Sequence, residues 1–263
     1  MKKTALFFFG GVLLLMLLAA CATTDYDVEK QKAIAEDNRR LGEAYARQGD
    51  YTNALRYYLE AAKHYPDDPE LQYSLGMAYQ EKMNYSRSID HFNRALTLKP
   101  DMTKAKISMG VSYIKAEEYD QAILVLRQAI ENLEFEIYTK PQYPNYLLGW
   151  TYYLKKQYPE SERYLQKALD YYAPGITKDP IYVQSLRSMG LVALAQSNPS
   201  KALSYLQKAI PFAPKWPELY LDIARANRLA GFESQAREAY NRVIELAPAT
   251  DIADTAAREA ASL

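Results

Sequence analysis

The order of apolar and polar positions divides the chain into a short apolar leader and a long periodic region. Residues 5–20 form an apolar run without a charge, and Lys2 and Lys3 precede it. After residue 35, small and large apolar residues recur with a period of 34 residues that is lengthened twice. Each period places one small residue after a Leu, Met or Ile: Gly42, Gly76, Gly110, Gly149, Gly190 and Ala224. The periodicity predicts six copies of one structural unit.

Other positions at fixed distances from this small residue indicate that each unit is a pair of helices. A small residue follows 12 positions later, at Ala54, Ser88, Ala122, Ser161, Ala202 and Ala236. Another small residue, or Val in the last unit, follows seven positions after that, at Ala61, Ala95, Ala129, Ala168, Ala209 and Val243. A large residue lies between the two, at Tyr58, Phe92, Leu126, Leu165, Leu206 and Tyr240. Small residues let two antiparallel helices approach each other, and we expect the large residue to fill the gap between neighbouring pairs.

Together with a Tyr three residues after the glycine in the first four units, this pattern resembles the tetratricopeptide repeat. The resemblance covers residues 35–250, although other residues take the usual Trp position and two repeats lack a closing Pro. It implies an all-α, right-handed superhelical solenoid of about six helix-turn-helix repeats that start near residues 35, 69, 103, 142, 183 and 217. Residues 251–263 are expected to form a capping helix over repeat 6, or else a frayed tail.

Two insertions interrupt the period, within Glu131–Pro144 before repeat 4 and within Asp170–Pro180 before repeat 5. Insertions in a solenoid lengthen loops or helix ends on one side, often near the binding face. Neutral change in loop length is the alternative, because long loops cost little free energy.

The leader is typical of a bacterial lipoprotein signal peptide. Its positive start and short apolar run suit a signal peptide at residues 1–20 better than a membrane span, which needs about 20 apolar residues. The ending Leu18-Ala19-Ala20-Cys21 resembles the lipobox, and this resemblance implies that Cys21, the single cysteine, is lipidated. The alternative is an uncleaved anchor in which this cysteine is incidental. Residues 21–34 are expected to form the lipidated N-terminus and a short linker.

The residue after this cysteine is Ala22, where an Asp commonly retains Gram-negative lipoproteins in the inner membrane. For a Gram-negative source, the lack of that Asp resembles sorting to the outer membrane, on the side that faces the periplasm.

Composition argues against several classes of function. The 32 Lys and Arg balance the 32 Asp and Glu, so no basic excess favours nucleic acid as a partner. His64 and His91 have no Cys or second His at ligand spacing, which argues against a metal site. The sequence holds no phosphate-binding glycine loop and no catalytic cluster. We therefore expect no catalytic residue, no cofactor and no small-molecule substrate, and we do not expect an enzyme.

The first helix of each tetratricopeptide repeat lines the concave surface, and the resemblance places an apolar groove there. Side chains at i, i+4 and i+7 share one helix face, and an exposed apolar strip of this kind marks a partner site. The end repeats contribute charged residues instead, including Arg39 and Arg225. The alternative is that the groove residues contact each other or the tail of the chain. The predicted partner-binding groove consists of Tyr73, Met77, Ile107, Val111, Ile114, Tyr146, Trp150, Tyr153, Leu191 and Leu194.

A lipobox followed closely by six such repeats resembles the PilF/PilW/Tgl family of outer-membrane lipoproteins, which are pilotins. The stretch Tyr143–Gly149 is similar to the Asn-x-x-x-Gly region of that family. The resemblance implies a lipid-anchored chaperone whose groove binds a secretin subunit during type IV pilus assembly. The alternative function is a periplasmic adaptor for peptidoglycan enzymes or envelope assembly.

Overall fold

The computed structural model describes residues 27–133, 141–172 and 179–263. These residues form helices joined by turns, without a strand in the part of the chain described. The helices are α1 at residues 27–47, α2 at Tyr51–His64, α3 at Pro69–Glu81, α4 at Tyr85–Leu98, α5 at Thr103–Lys115, α6 at Tyr119–Leu133, α7 at Gln142–Leu154, α8 at Tyr158–Leu169, α9 at Pro180–Ala195, α10 at Pro199–Ala209, α11 at Pro217–Leu229, α12 at Glu233–Leu246 and α13 at Asp251–Ala260. Over these ranges, no helix has the length and apolar character that a membrane crossing needs.

The chain divides into two compact units within α5: unit 1 ends at Ser112, and unit 2 is Tyr113–Leu263. In unit 1, α3 packs against both α2 and α4. In unit 2, each first helix packs on the second helix of its repeat, as α7 on α8, α9 on α10 and α11 on α12. The first helices also contact one another in sequence, from α7 to α9, α11 and α13. The predicted all-α fold of consecutive helix pairs is therefore confirmed.

The two helices of a pair approach each other closely at the recurring glycine. A Cβ added to Gly149 would lie 2.6 Å from Leu165 Cγ and 2.9 Å from the Leu165 backbone nitrogen. At Gly76 the added atom would lie 2.6 Å from the ring of Phe92. The large residue of each of these units thus packs directly over the glycine of its own pair, whereas we expected it between neighbouring pairs. The small side chain is needed because a bulky residue occupies the facing helix.

The turn between the two helices of a repeat has one residue in the left-handed region, seven positions after the glycine position. Glycine takes this place in repeats 1 and 6, at Gly49 with φ 76° and Gly231 with φ 78°. The other four repeats use residues with a Cβ at φ between 56° and 61°: Met83, Glu117, Lys156 and Ser197. Left-handed backbone is unfavourable for such residues, so the pairing of the helices imposes this conformation.

Side-chain caps fix where several second helices begin. Asp50 accepts a hydrogen bond from the Asn53 N–H at 3.0 Å, at the start of α2. An equivalent bond joins Asn84 to the Arg87 N–H at the start of α4. These caps satisfy backbone donors that the first turn of a helix leaves without a partner.

The periodic region begins with a longer helix than the sequence led us to expect, and it is followed by a C-terminal helix. The stretch 27–34, which we expected within a linker, is part of α1. After repeat 6, α13 buries Ala253, Ala256 and Ala260 and packs against α11 and α12. The signal peptide at residues 1–20, Cys21 and the centres of both insertions lie outside the described residues.

Candidate functional site

The ten predicted groove residues all lie on first helices, but they belong to two separate units. Unit 1 contributes Tyr73, Met77, Ile107 and Val111, which are partly exposed on α3 and α5. Unit 2 contributes Ile114, which is 9% exposed and therefore part of the core, and five residues of α7 and α9. Those five are partly exposed: Tyr146, Trp150, Tyr153, Leu191 and Leu194.

In unit 1, the ring of Tyr73 is held by contacts within the protein. Its centre lies 5.8 Å from the ring centre of Phe92 and 4.5 Å from Nζ of Lys104. The lysine amine therefore lies over the ring, where a cation–π interaction stabilises it. Lys104 also forms an ion pair with Glu70 at 2.6 Å. This part of the predicted groove is consequently less available for an apolar partner than the sequence indicated.

In unit 2, aromatic residues on α7 form a partly exposed cluster. The rings of Trp150 and Tyr153 stack with their centres 5.1 Å apart, and Tyr158 packs against Tyr153 at 6.3 Å. The Tyr146 side chain is hydrogen-bonded to that of Ser188 on α9. Burial raises the pKa of both Tyr146 and Tyr153. We call the surface formed by Tyr146, Trp150, Tyr153, Leu191 and Leu194 the aromatic face of unit 2.

Register and helix contacts place the two leucines beside these rings. Leu191 and Leu194 follow Arg187 by four and seven residues, so the three share one face of α9. Both Tyr146 and Tyr153 lie within the electrostatic reach of Arg187. Because α7 and α9 are in direct contact, the aromatic and aliphatic residues form neighbouring parts of one surface.

An ion pair links α9 to α11 beside the aromatic face. Arg187 Nε donates to Asp222 Oδ2 at 2.6 Å, and the Asp222 side chain is only 3% exposed. The guanidinium of Arg187 also lies 4.9 Å from the ring centre of Trp216. Burial raises the pKa of Asp222, and the charge of Arg187 opposes that change. Asp222 and Trp216 were not identified from the sequence as neighbours of this face.

A second ion pair connects α11 to the C-terminal helix. Arg225 donates to both carboxylate oxygens of Glu259, from Nη2 at 2.6 Å and from Nε at 3.1 Å. The hydroxyl of Tyr240 donates to the same carboxylate at 2.9 Å. The hydrogen bond from Arg225 is the main cause of a lowered pKa at Glu259, and burial raises the pKa of Tyr240 to about 12. Glu259 follows Arg225 by one 34-residue period, a spacing that could have revealed the contact from the sequence.

Both histidines contact neighbouring side chains of the protein. His91 Nδ1 is 2.8 Å from Gln72 Oε1, and its ring stacks on Tyr79 with centres 5.2 Å apart. Burial lowers the pKa of His91. His64 Nδ1 lies 2.6 Å from Gln31 Oε1. Within the described ranges, no group of three His, Cys, Asp or Glu side chains is placed to hold a metal ion.

Comparison with known proteins identifies the repeats. Two family models described as tetratricopeptide repeat match residues 39–103 and 144–215, which together make up just over half of the chain. No curated protein matches the sequence.

Solved structures with a similar fold include PilW and pilF. PilW, described as a widely conserved type IV pilus biogenesis factor, aligns with a TM-score of 0.73 and 17% identity, over 84% of this chain and 97% of PilW. The pilF protein of Pseudomonas aeruginosa aligns with a TM-score of 0.68 and 14% identity, over 88% of this chain and 99% of pilF.

The fold is also similar to that of YrrB, described as a tetratricopeptide repeat protein with an unusual peptide-binding site. That alignment has a TM-score of 0.56 and 16% identity, over 76% of this chain and 97% of YrrB. At identities this low, the three similarities establish a shared fold.

Proposed function

We propose that this chain is a pilotin-like assembly factor. It belongs to the tetratricopeptide repeat family, whose members serve as scaffolds for protein interactions. In this proposal, Cys21 carries the lipid that anchors the protein to the outer membrane, and the aromatic face of unit 2 binds a secretin subunit of the type IV pilus. The single observation that carries the proposal is the stacked Trp150–Tyr153 pair, which remains partly exposed although it consists of two large aromatic side chains.

The physical argument is that such a pair is suited to a partner. Trp and Tyr are enriched among the residues that dominate binding energies, and they bury a large area with few rotatable bonds. The stack fixes the Trp150 ring before a partner arrives, so little side-chain entropy remains to be lost on binding. The aromatic face is therefore prepared for contact with protein.

The choice of a secretin as partner is supported by two lines of reasoning. PilW and pilF align along nearly their whole lengths with this chain, and PilW is described as a pilus biogenesis factor. The lipobox-like leader, which ends at Cys21, is what a membrane-anchored member of such a group requires.

The proposed mechanism is a local increase in concentration. A protein held by lipid at the outer membrane and bound to one secretin subunit confines that subunit to the membrane surface. Assembly of subunits then starts from a high effective concentration rather than from dilute periplasm. No bond needs to be made or broken, which fits a role as a chaperone.

The test compares three strains that produce the wild-type chain, the Trp150→Ala variant or the Phe232→Ala variant in place of the deleted gene. Phe232 is 50% exposed at the start of α12 and serves as a matched aromatic control. We expect secretin multimers in outer-membrane fractions to be lost on deletion, reduced by Trp150→Ala and unchanged by Phe232→Ala. Normal multimers in the deletion strain would contradict the proposal, and recovery of peptidoglycan enzymes with the protein would favour an adaptor function.

A further inference from the structure

The arginines next to the aromatic face of unit 2 are already bound within the protein. Arg187 is paired with Asp222 at 2.6 Å and lies over the ring of Trp216. Arg225 is paired with both oxygens of Glu259. The carboxylate of Asp222 thus balances the positive charge of Arg187, and the ring of Trp216 covers one face of its guanidinium.

An acidic ligand that displaced Asp222 from Arg187 would do so at a high cost in free energy. The Asp222 side chain is 3% exposed, so loss of its partner would leave a buried carboxylate without a compensating charge. Breaking one side of such a pair is strongly unfavourable. The nearby carboxylate of Glu218 adds a further negative charge on α11. The electrostatics of this region therefore oppose a carboxylate.

The described residues that form the aromatic face itself offer apolar and aromatic contacts. Tyr146, Trp150, Tyr153, Leu191 and Leu194 are partly exposed, and none of them carries a charge. Such a surface gains free energy by burying apolar area and by contacts with aromatic rings. Arg228, which is exposed at the end of α11, lies in the field of Glu259 and belongs to the rim.

We propose that the segment bound by the aromatic face is apolar, has no net charge, and is recognised without a carboxylate. This inference rests on the proposed function, since it assumes that the face binds protein. It adds the chemistry of the bound segment: Leu, Phe, Tyr or similar side chains placed against Trp150 and the leucines of α9. The Arg187–Asp222 pair acts as a filter that rejects acidic segments.

The experiment selects peptides from a random library on the full lipidated protein in lipid nanodiscs, with empty nanodiscs as a counter-selection. We expect the selected peptides to be rich in Leu, Phe and Tyr and to have a net charge near zero. Selection of acidic peptides, or of peptides that need a free C-terminal carboxylate, would overturn the proposal. Failure to select any peptide above background would overturn it as well.

Synthetic versions of the selected peptides then allow quantitative tests. The chain has two tryptophans, so Trp216→Phe leaves Trp150 as the only indole and makes its fluorescence a reporter of occupancy. We expect the Kd to change by less than about twofold between about 0.05 and 0.5 M NaCl, because no charge pair forms. Trp150→Ala lacks this reporter, so its Kd is measured by isothermal titration calorimetry. We expect this substitution to weaken binding by about tenfold or more. Salt-sensitive binding, or binding that does not need Trp150, would contradict the assignment.

A substitution in the Arg187–Asp222 ion pair provides a second test of the proposal. Asp222→Asn keeps the size of the side chain but leaves the charge of Arg187 uncompensated. We expect this variant to select acidic peptides that the wild type rejects, with a gain in affinity of about tenfold. Identical selections from the two proteins would show that the ion pair does not filter ligands. Recovery of apolar peptides without a secretin in the envelope would refute the proposed partner and leave the chemistry of the site intact.

Discussion

At the scale of single residues, Gly149 shows how tightly the helix pairs are packed. An added Cβ would meet both the side chain and the backbone nitrogen of Leu165. The side chain could rotate away, but the backbone nitrogen could move only if α8 moved. A single methyl group is therefore enough to separate two helices here.

Gly149→Ala is expected to destabilise the protein by about 2 kcal/mol, because overpacking outweighs the better helix propensity of Ala. The measurement is the midpoint of chemical denaturation. Gly231→Ala is the matched control, since nothing lies within 4 Å of its added Cβ and its cost arises only from a φ of 78°. If Gly149→Ala were as stable as wild type, the close approach would be wrong.

Met83 presents the opposite case, a residue whose backbone is under strain. It has a φ of 57°, and its side chain is 76% exposed, so the side chain contributes little packing. Met83→Gly should stabilise the protein by about 1 kcal/mol, because Gly accepts this backbone conformation without a steric penalty. Thermal unfolding of the pair of proteins measures the change. A loss of stability would mean that the turn depends on the methionine side chain.

Residue spacing along the sequence was informative about the packing residues but not about the ion pairs. The fixed distance between Gly149 and Leu165 identified both as packing residues, but we expected the large residue between neighbouring pairs and not over the glycine of its own pair. The contact of Arg187 with Asp222 could not be anticipated, because it depends on how far α9 and α11 are rotated toward each other. Spacing along the chain defines which face of a helix a residue occupies, but not which charge it meets across the neighbouring helix.

At the scale of elements, the first and last helices end the stack in different ways. In α1, Leu41 is 47% exposed, whereas its equivalents Leu75 and Leu148 are 0% exposed. Asp37 on the same helix is exposed and takes the place of the buried Leu71. A charged residue at this position makes α1 suitable as a terminal helix that contacts solvent, as expected of the end of a repeat array.

At the C-terminal end, one carboxylate, that of Glu259, connects α13 to the preceding helices. Glu259 on α13 accepts hydrogen bonds from Arg225 and Tyr240, and Arg225 is itself partly exposed. Glu259→Gln should lower the stability of α13 by about 1.5 kcal/mol, the usual contribution of a charged hydrogen bond near the surface. Amide hydrogen exchange within Asp251–Ala260 measures this change in the stability of α13. Unchanged protection in α13 would show that its buried alanines alone hold the helix.

The same carboxylate predicts a pH dependence. The pKa of Glu259 is lowered from an ordinary 4.5 in the folded protein, so the unfolded chain binds more protons in the range between the two values. Its contribution to stability is fully present above about pH 4.5 and is lost as the pH falls through the folded pKa.

Unfolding of wild type and Glu259→Gln should therefore differ most near neutral pH and converge in acid. If the difference in unfolding free energy stayed constant down to pH values well below the ordinary pKa of 4.5, this result would contradict the lowered pKa of Glu259. Asp222, whose pKa is shifted in the other direction, is present in both proteins and does not affect the comparison.

At the scale of the whole molecule, the period of the sequence was sufficient to predict a stack of helix pairs. It was less informative about the partner site, since the ten predicted groove residues differ in their surroundings. Ile114 is part of the core and Tyr73 lies beneath Lys104, whereas the residues around Trp150 form a partly exposed cluster of aromatic rings. Burial depends on neighbouring helices, which a repeat pattern does not specify.

The predicted lipid anchor determines where the whole protein is located. Cys21→Ala should leave the helical repeats folded and remove the protein from the outer-membrane fraction, because a lipid-modified N-terminus is the only anchor that we propose. Circular dichroism checks the fold, and fractionation of the envelope checks the location. A Cys21→Ala protein that still fractionates with the outer membrane would show that another contact anchors it.

The most direct test of the central claim is photocrosslinking from the aromatic face in living cells. A photoreactive amino acid at Leu191, a partly exposed residue of the aromatic face on α9, should form a crosslink to a secretin subunit that mass spectrometry identifies. The same probe at Leu124, which is 57% exposed on α6, is the control and should not form this crosslink. Crosslinks to a secretin from Leu191 alone are the result that we predict. Crosslinks from Leu191 only to other envelope proteins, or equal crosslinking from both positions, would contradict the account.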